Sequence, residues 1–366
     1  MFRPAPRASG YFRTRYAQDL ALVQTRSERI SLGVFLIALV GFPFIASPFG
    51  LDLACQVFLA SIGALSLMLL TGYAGQISLG HAGLLAAGAF TTGILVRELH
   101  APFWVTLPAS AIAGIVLGFA GYLYVLSGVQ ESRSQVLEYA QLRTELAAQT
   151  APLGPTAPGS PVAVLDIPSI GVRNMVVVEG TTPENLTLGP GHLRDTPLPG
   201  QAGVSEIFGR RATFGGPFAG LAQLRPGDLI RVITGQGEST YTVAATADSG
   251  QTVEDPVPNR LILLTASSPL IPSHYIEVDA RLITSAHPGP GIAREITRPE
   301  LPLAGDGSAL VFTIGWEFVL ALVVAGAAIA AARWTPRIAY VGIAPLALAV
   351  LWALYHSLAA SLPNLY

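Results

Sequence analysis

Long apolar runs at both ends of the sequence enclose a polar middle. They cover residues 30–46, 51–70, 79–96 and 103–126 before it, and 309–332 and 338–358 after it. A bilayer core requires about 20 residues of α-helix, so runs of this length predict membrane-spanning helices. The 79–96 run is interrupted by Gly80, His81 and Gly83, which makes it the weakest candidate. The pattern predicts a multi-span α-helical membrane protein with an inserted polar domain.

Basic residues beside the apolar runs predict their orientation. Residues 1–29 hold six arginines against two acids, and Arg333 and Arg337 flank the short loop between the last two runs. Basic flanks remain in the cytoplasm, so we expect both segments there. The number of crossings before the polar middle must then be odd. Because four runs are present, we expect residues 71–96 to be re-entrant or broken. This predicts a multi-pass protein of the cell membrane with a cytoplasmic N terminus and an extracytoplasmic central domain.

The polar middle carries the patterns of a helix, a linker and a set of strands. Residues 129–149 have apolar side chains at helical spacing, and the Pro- and Gly-rich residues that follow predict a stiff linker. Short runs rich in Val, Ile, Leu and Thr come next, at 162–167, 175–178, 229–233, 241–245, 261–265 and 275–282. Strands of this number and length predict an all-β barrel or sandwich.

These patterns divide the chain into six predicted segments. They are a cytoplasmic Arg-rich tail (1–29), N-terminal membrane segments (30–128), a helical stalk with a Pro-rich linker (129–160), the β domain (161–283), a second Pro-rich linker (284–308) and two C-terminal transmembrane helices (309–360).

Composition excludes several classes of function. The chain is 51% hydrophobic and 12% charged, which fits membrane helices joined to a polar domain. All 21 basic residues are arginine, as expected of a high-GC genome, so no lysine is present to bind phosphate in a P-loop or to form a Schiff base. The single cysteine, Cys55, gives neither a disulfide framework nor a thiolate zinc site. Near-neutral net charge gives no basic face for nucleic acid, and we expect no cofactor and no metal.

Five stretches of the β domain resemble a sortase of the actinobacterial class E type. They are LDIPSIGV at 165–172, LGPGHL at 188–193, GRRATFGGPF at 209–218, LRPGD at 224–228 and LILLT at 261–265. Their order and spacing carry the resemblance, which covers residues 161–283. It implies a sortase-like β-barrel.

The resemblance also implies that the catalytic residues of a sortase are replaced. Sortases attack a sorting peptide with a cysteine thiolate, protonate the leaving group with a histidine and stabilise the oxyanion with an arginine. This sequence has Arg210 at the histidine position, Ala266 at the cysteine position and His274 at the arginine position. An arginine with a pKa above about 12 is no proton shuttle, and alanine is no nucleophile. We therefore expect a pseudoenzyme at the cell envelope that binds or scaffolds a peptide or wall precursor.

A relocated serine mechanism is the alternative within the same domain. Ser267 or Ser268 would attack, and His274 or His192 would act as the base. Against it, Ser267 directly follows Ala266, so along an extended strand the two side chains face opposite sides. His192, in a Gly-Pro-Gly-His setting, is expected to be a turn residue that holds the backbone.

The same positions predict a ligand groove. Arg210, Arg211, Thr265 and His274 would line it, and an extended peptide could bind there by adding a strand or filling pockets. The two arginines could receive a carboxylate or phosphate in a fork. The alternative interpretation is that they are two solvated loop arginines.

The N-terminal part resembles a branched-chain amino-acid ABC-transporter permease of the Liv M type. The resemblance covers residues 10–118 and rests above all on LTGYAGQISLGHAG at 70–83. It implies a broken helix near a substrate path, with the motif residues Gly72, Gly75, Gln76, Ser78 and His81. It also implies ABC-transporter subunits as partners, namely an ATPase, a binding protein and a second permease. Alternatively, this part is only an inherited membrane anchor, or the gene is a fusion.

Overall fold

The computed structural model describes residues 26–47, 49–51, 53–58, 61, 81–247, 257–270, 272–293, 295–333 and 336–366. The chain forms two compact units, Met1–Gly93 and Ile94–Tyr366. Helix α1 (Arg26–Ile45) belongs to the first unit, and helix α2 (His81–Leu99) begins in it. The predicted 30–46 run therefore falls on α1, whereas most of the predicted 51–70 run lies outside the described residues.

One long helix lies in the second unit. Helix α3 (Phe103–Gly121) continues through a π-helical turn, Tyr122–Leu126, into helix α4 (Ser127–Ala147). The sequence predicted a membrane span and a separate stalk helix, and the structure joins them without a break. Such π-helical turns insert a residue into an α-helix and often mark functional positions.

Two helices close the chain as an antiparallel hairpin. Helix α5 (Ala309–Arg333) and helix α6 (Pro336–Ser361) pack against each other, and Thr313 near the start of α5 shares a hydrogen bond of 2.9 Å with Ser357 near the end of α6. Among the described residues, three helices are long and apolar enough to cross a membrane: Trp104–Ala147, Ala309–Ala330 and Ile343–Ser361. The chain is therefore a membrane protein, as predicted.

Eight strands form a closed barrel between the long helix and the hairpin. They are β1 (Pro161–Ile167), β2 (Val172–Glu179), β3 (Gly191–His192), β4 (Val204–Phe208), β5 (Leu229–Thr234), β6 (Gly237–Ala247), β7 (Arg260–Ala266) and β8 (Tyr275–Leu282). Around the barrel their order is β1-β2-β3-β4-β7-β8-β6-β5. The predicted all-β domain is confirmed as a barrel and not a sandwich. The sequence missed β3 and β4.

The barrel is filled by apolar side chains that alternate along the strands. Its core includes Leu165 and Ile167 of β1, Val232 of β5 and Leu263 of β7, all without exposed surface. Side chains alternate between the two faces of a strand, so every second residue of these β-branched and leucine-rich runs points into the barrel.

Helix α4 is fixed to the barrel by a side-chain amide. The Gln135 amide nitrogen donates to the carbonyls of Val176 (3.0 Å) and Leu188 (2.9 Å), and its oxygen accepts from the Val176 N–H at 2.7 Å. At the π-helical turn, buried Tyr122 packs edge-on against Phe214 of the barrel and Trp352 of α6. The long helix, the barrel and the hairpin thus meet at one aromatic cluster.

Candidate functional site

The candidate site lies where β4 and β7 end. These strands are parallel, with Phe208 paired to Leu264, so their carboxyl ends meet at the same edge of the barrel. The Gly209 N–H donates to the Leu264 carbonyl at 2.9 Å, and the Thr265 hydroxyl donates to the Gly209 carbonyl at 2.8 Å. The pairing therefore places Arg210 and Arg211 near Thr265 and Ala266 at this edge.

Arg210 has no exposed surface, so its interpretation as a solvated loop residue is wrong. Its guanidinium donates to four oxygens: the carbonyls of Pro183 (2.8 Å) and Leu186 (3.2 Å), the Thr213 hydroxyl (3.2 Å) and the main-chain oxygen of Tyr366 (3.4 Å). It also lies over the Phe214 ring, 4.7 Å from the centroid. Burial lowers the pKa of Arg210 to about 9, which leaves it protonated at neutral pH.

Arg211 is half-buried and holds the end of β7. Its guanidinium donates to the main-chain carbonyls of Ala266 (2.9 Å) and Ser267 (2.5 Å). Its backbone N–H donates to the Leu365 carbonyl at 3.3 Å. Both side-chain bonds come from one guanidinium nitrogen, Nη1, so Arg211 is attached to main-chain carbonyls and is not simply a solvated loop residue.

The position predicted for the thiol is apolar and covered. Ala266 has no exposed surface and belongs to a buried cluster with Phe208, Leu264 and Leu365. A methyl group in these surroundings supplies neither a nucleophile nor a polar contact.

The three remaining residues of the predicted site, Ser267, Ser268 and His274, lie close to Ala266. The backbone N–H of Ser267 donates to the His274 carbonyl at 3.0 Å, and His274 Nδ1 contacts the Ser273 hydroxyl at 3.0 Å. Ser268 is half-buried and its hydroxyl accepts from the Leu270 N–H at 3.4 Å. The structure therefore places both serines and His274 at the same edge as Ala266.

His192 is a strand residue and not a turn residue. It lies in β3 with 1% of its surface exposed. Its Nδ1 contacts the Glu179 carboxylate at 2.9 Å, and its Nε2 contacts the Pro197 carbonyl (3.0 Å) and the Thr196 hydroxyl (3.1 Å). The two ring nitrogens thus connect the end of β2 to the loop that follows β3, so His192 acts here as a buried structural residue.

Residues 362–366, which follow helix α6, lie across the same edge, and the sequence analysis did not single them out. Leu365 completes the apolar cluster over Ala266. The main-chain oxygen of Tyr366 accepts from Arg210 and, at 2.6 Å, from the Thr213 hydroxyl. In the sequence these residues, LPNLY, simply follow an apolar run and have no distinctive period.

Two family profiles match the chain. The sortase domain matches residues 165–288, and the branched-chain amino acid transport system permease component matches residues 50–131. The barrel is a sortase-like domain. The N-terminal segment is permease-like, and the chain joins the two, as the sequence predicted.

Known proteins resemble one part or the other. The LivM permease of Salmonella typhimurium is 33% identical over 26% of this chain and 23% of its own length. Sortase D of Bacillus subtilis is 33% identical over 24% of this chain and 42% of its own length. The structure of sortase E from Streptomyces avermitilis is 34% identical over 35% of this chain and 91% of that chain, with a TM-score of 0.31. The chain thus spans less than half the length of the LivM permease and of sortase D.

The predicted permease motif is only partly described by the structure. Gly72, Gly75, Gln76 and Ser78 lie outside the described residues, and His81 is the first residue of α2. The motif stays a prediction.

Proposed function

We propose that the sortase-like barrel is an extracytoplasmic peptide-binding or scaffold module on a membrane anchor, and that it does not act as a cysteine transpeptidase. The observation that carries the proposal is that the residues which follow β4 and end β7 at this edge are a buried Arg210 and a buried Ala266. The partner that fits is a sorting-type peptide of a wall protein or a wall precursor.

The chemistry of this edge supports binding and not transfer. Acyl transfer by a sortase mechanism needs a thiolate and a group that gives up a proton near neutral pH. Ala266 supplies no lone pair for attack. Arg210 keeps its proton because four oxygens accept hydrogen bonds from it and its pKa, at about 9, stays above neutral. An edge that donates and accepts main-chain hydrogen bonds can still hold an extended peptide.

The full chain, purified in detergent, is expected to form no transpeptidation product. It would be incubated with a sorting-type peptide and an amine acceptor peptide, and products followed by mass spectrometry. A serine-reactive fluorophosphonate probe would be added in parallel, since Ser267 and Ser268 follow Ala266 directly. We expect neither product nor adduct. A product or adduct that disappears in the Ser267→Ala, Ser268→Ala double variant would establish the serine-dependent alternative and contradict the proposal.

The orientation proposed for the barrel follows from the α5–α6 hairpin. The barrel adjoins the end of the hairpin where Ala309 accepts a hydrogen bond from Ser357 at 3.2 Å. Arg333 and Arg337 lie at the opposite end. Basic loops favour the cytoplasm, which leaves the barrel outside.

We expect a membrane-impermeant thiol reagent to label whole cells at Ala157→Cys but not at Thr335→Cys, each in a Cys55→Ser background. Ala157 lies in the linker before β1 and is exposed, so a cysteine at this position is accessible to the reagent. Permeabilised cells, in which both positions should react, serve as the control. Labelling of Thr335→Cys alone in intact cells would place the barrel in the cytoplasm and contradict the proposal.

A second candidate function is a fused or truncated permease subunit of a branched-chain amino-acid importer. The match of residues 50–131 to the permease component favours it. That function needs an ATPase and a second permease subunit, so co-purification of such subunits with the full chain distinguishes it from a module that works alone.

A further inference from the structure

We infer that residues 362–366 are a built-in peptide ligand that closes the groove of the sortase-like barrel, and that the groove accepts peptides in which Asn and Leu are followed by an aromatic residue. The inference rests on the proposed function, since it names the occupant of the same site. Three adjacent side chains of the segment, Asn364, Leu365 and Tyr366, each have their own set of partners.

Leu365 fills the position over the lost nucleophile. It has no exposed surface, and its cluster contains Leu186, Phe208, Leu264 and Ala266. Full burial of a leucine side chain stabilises a bound peptide by removing its apolar surface from water. The former catalytic position is thus an apolar pocket for one side chain.

Asn364 occupies a polar pocket beside it. It has no exposed surface, and its amide nitrogen donates to three carbonyls, of Thr181 (2.8 Å), Leu301 (3.0 Å) and Pro299 (3.4 Å). Its backbone N–H donates to the Ala304 carbonyl at 2.9 Å. Carbonyl oxygens accept from an amide NH₂ group but repel a carboxylate, so this pocket selects Asn over Asp.

Tyr366 joins the segment to the long helix. Its hydroxyl shares a hydrogen bond of 2.6 Å with the Tyr124 hydroxyl, and Tyr124 lies in the π-helical turn. Burial, and then the bond to Tyr124, raises the pKa of Tyr366 to about 12. Its main-chain oxygen accepts from Arg210 and Thr213. These contacts place the aromatic end of the peptide over Arg210.

The segment begins at the residue after helix α6. Ser361 is the last residue of α6, and α6 is paired with α5 in the hairpin. The ligand is therefore tethered next to its groove without a linker. A ligand tethered in this way has an effective concentration of about 1 mM, so a free peptide with a Kd of about 10 μM for the open groove would bind the closed chain about 100-fold more weakly.

Binding of a labelled peptide to the full chain in nanodiscs tests the inference. The probe is a fluorescein-labelled peptide with the sequence SLPNLY, residues 361–366, followed by fluorescence anisotropy. The variants are a deletion of residues 362–366 and Asn364→Asp, which keeps the length of the chain. Asn174→Asp, at an exposed position of β2, is the matched control. We expect the deletion to bind the probe about 100-fold more tightly than the intact chain, Asn364→Asp to bind it at least about 10-fold more tightly, and the control to be unchanged.

The other outcomes separate this inference from the proposed function. Equal, measurable binding to the intact chain and to both variants would overturn the closed groove and leave peptide binding intact. Absence of binding to variants that remain folded by circular dichroism would overturn the peptide chemistry inferred here, while the transpeptidation assay still decides the loss of catalysis independently. Unfolding of both variants would show that the segment is part of the core and not a ligand, and would also overturn the inference.

Discussion

Replacing Arg210 with alanine is expected to lower the free energy of unfolding by about 3–5 kcal/mol. The side chain fills a site without exposed surface and supplies hydrogen bonds to four oxygens. Alanine leaves a cavity and strips buried carbonyls of a donor, and each unsatisfied buried group costs about 1–3 kcal/mol. Removal of the desolvated charge offsets part of this cost.

Guanidinium denaturation of the detergent-solubilised full chain measures the effect. Arg210→Met separates its two causes, because methionine keeps much of the volume but donates no hydrogen bond. We expect the free energy of unfolding of Arg210→Met to lie between those of the native chain and of Arg210→Ala. Arg231→Ala, at an exposed position of β5, is the matched control and should change stability by less than about 0.5 kcal/mol. An Arg210→Ala variant as stable as this control would show that the buried contacts contribute nothing.

Gly209→Ala is expected to lower the free energy of unfolding by about 2–3 kcal/mol and to displace Arg210 from its contacts. A Cβ at residue 209 would overlap the Phe218 ring. Phe218 has no exposed surface and lies in the barrel core, so it cannot move away without disturbing its neighbours.

The same denaturation experiment on Gly209→Ala, with Gly307→Ala as its control, measures this cost. A Cβ at residue 307 meets nothing within 4 Å, so that variant should be close to neutral. Equal denaturation midpoints for the two variants would mean that the ring of Phe218 moves aside at little cost and that Gly209 is not needed to position Arg210.

Most of the barrel could be predicted because most of its strands carry a local signal. The runs at 162–167, 229–233 and 261–265 became β1, β5 and β7 with shifts of one residue or less at their ends. Strand β3 has two residues, and β4 carries Ser205 and Glu206 at its centre, so neither has a distinctive period. Both also form parallel pairs, β3 with β2 and β4 with β7, which a local pattern does not contain.

The candidate site was predicted from the resemblance only as far as residue positions. The resemblance assigned Arg210, Arg211 and Thr265 to one predicted groove, and in the structure they lie at one edge of the barrel. The burial of Arg210 had no local signal, because an arginine in a loop after a strand is usually solvated. Its partner Tyr366 is 156 residues away in the sequence. Closure of this edge by residues 362–366 depends on that long-range contact and was missed for the same reason.

The most direct test restores a thiol at the lost catalytic position and measures its accessibility. Ala266→Cys is made in a Cys55→Ser background, with and without residues 362–366, and its alkylation by a maleimide is followed in the membrane-embedded chain. Leu270→Cys, at a position 64% exposed, is the control and should react equally in both chains. We predict that Ala266→Cys reacts about 100-fold more slowly in the full chain than in the shortened one, because Leu365 covers it. Equal and rapid alkylation in both chains would contradict a groove that residues 362–366 close.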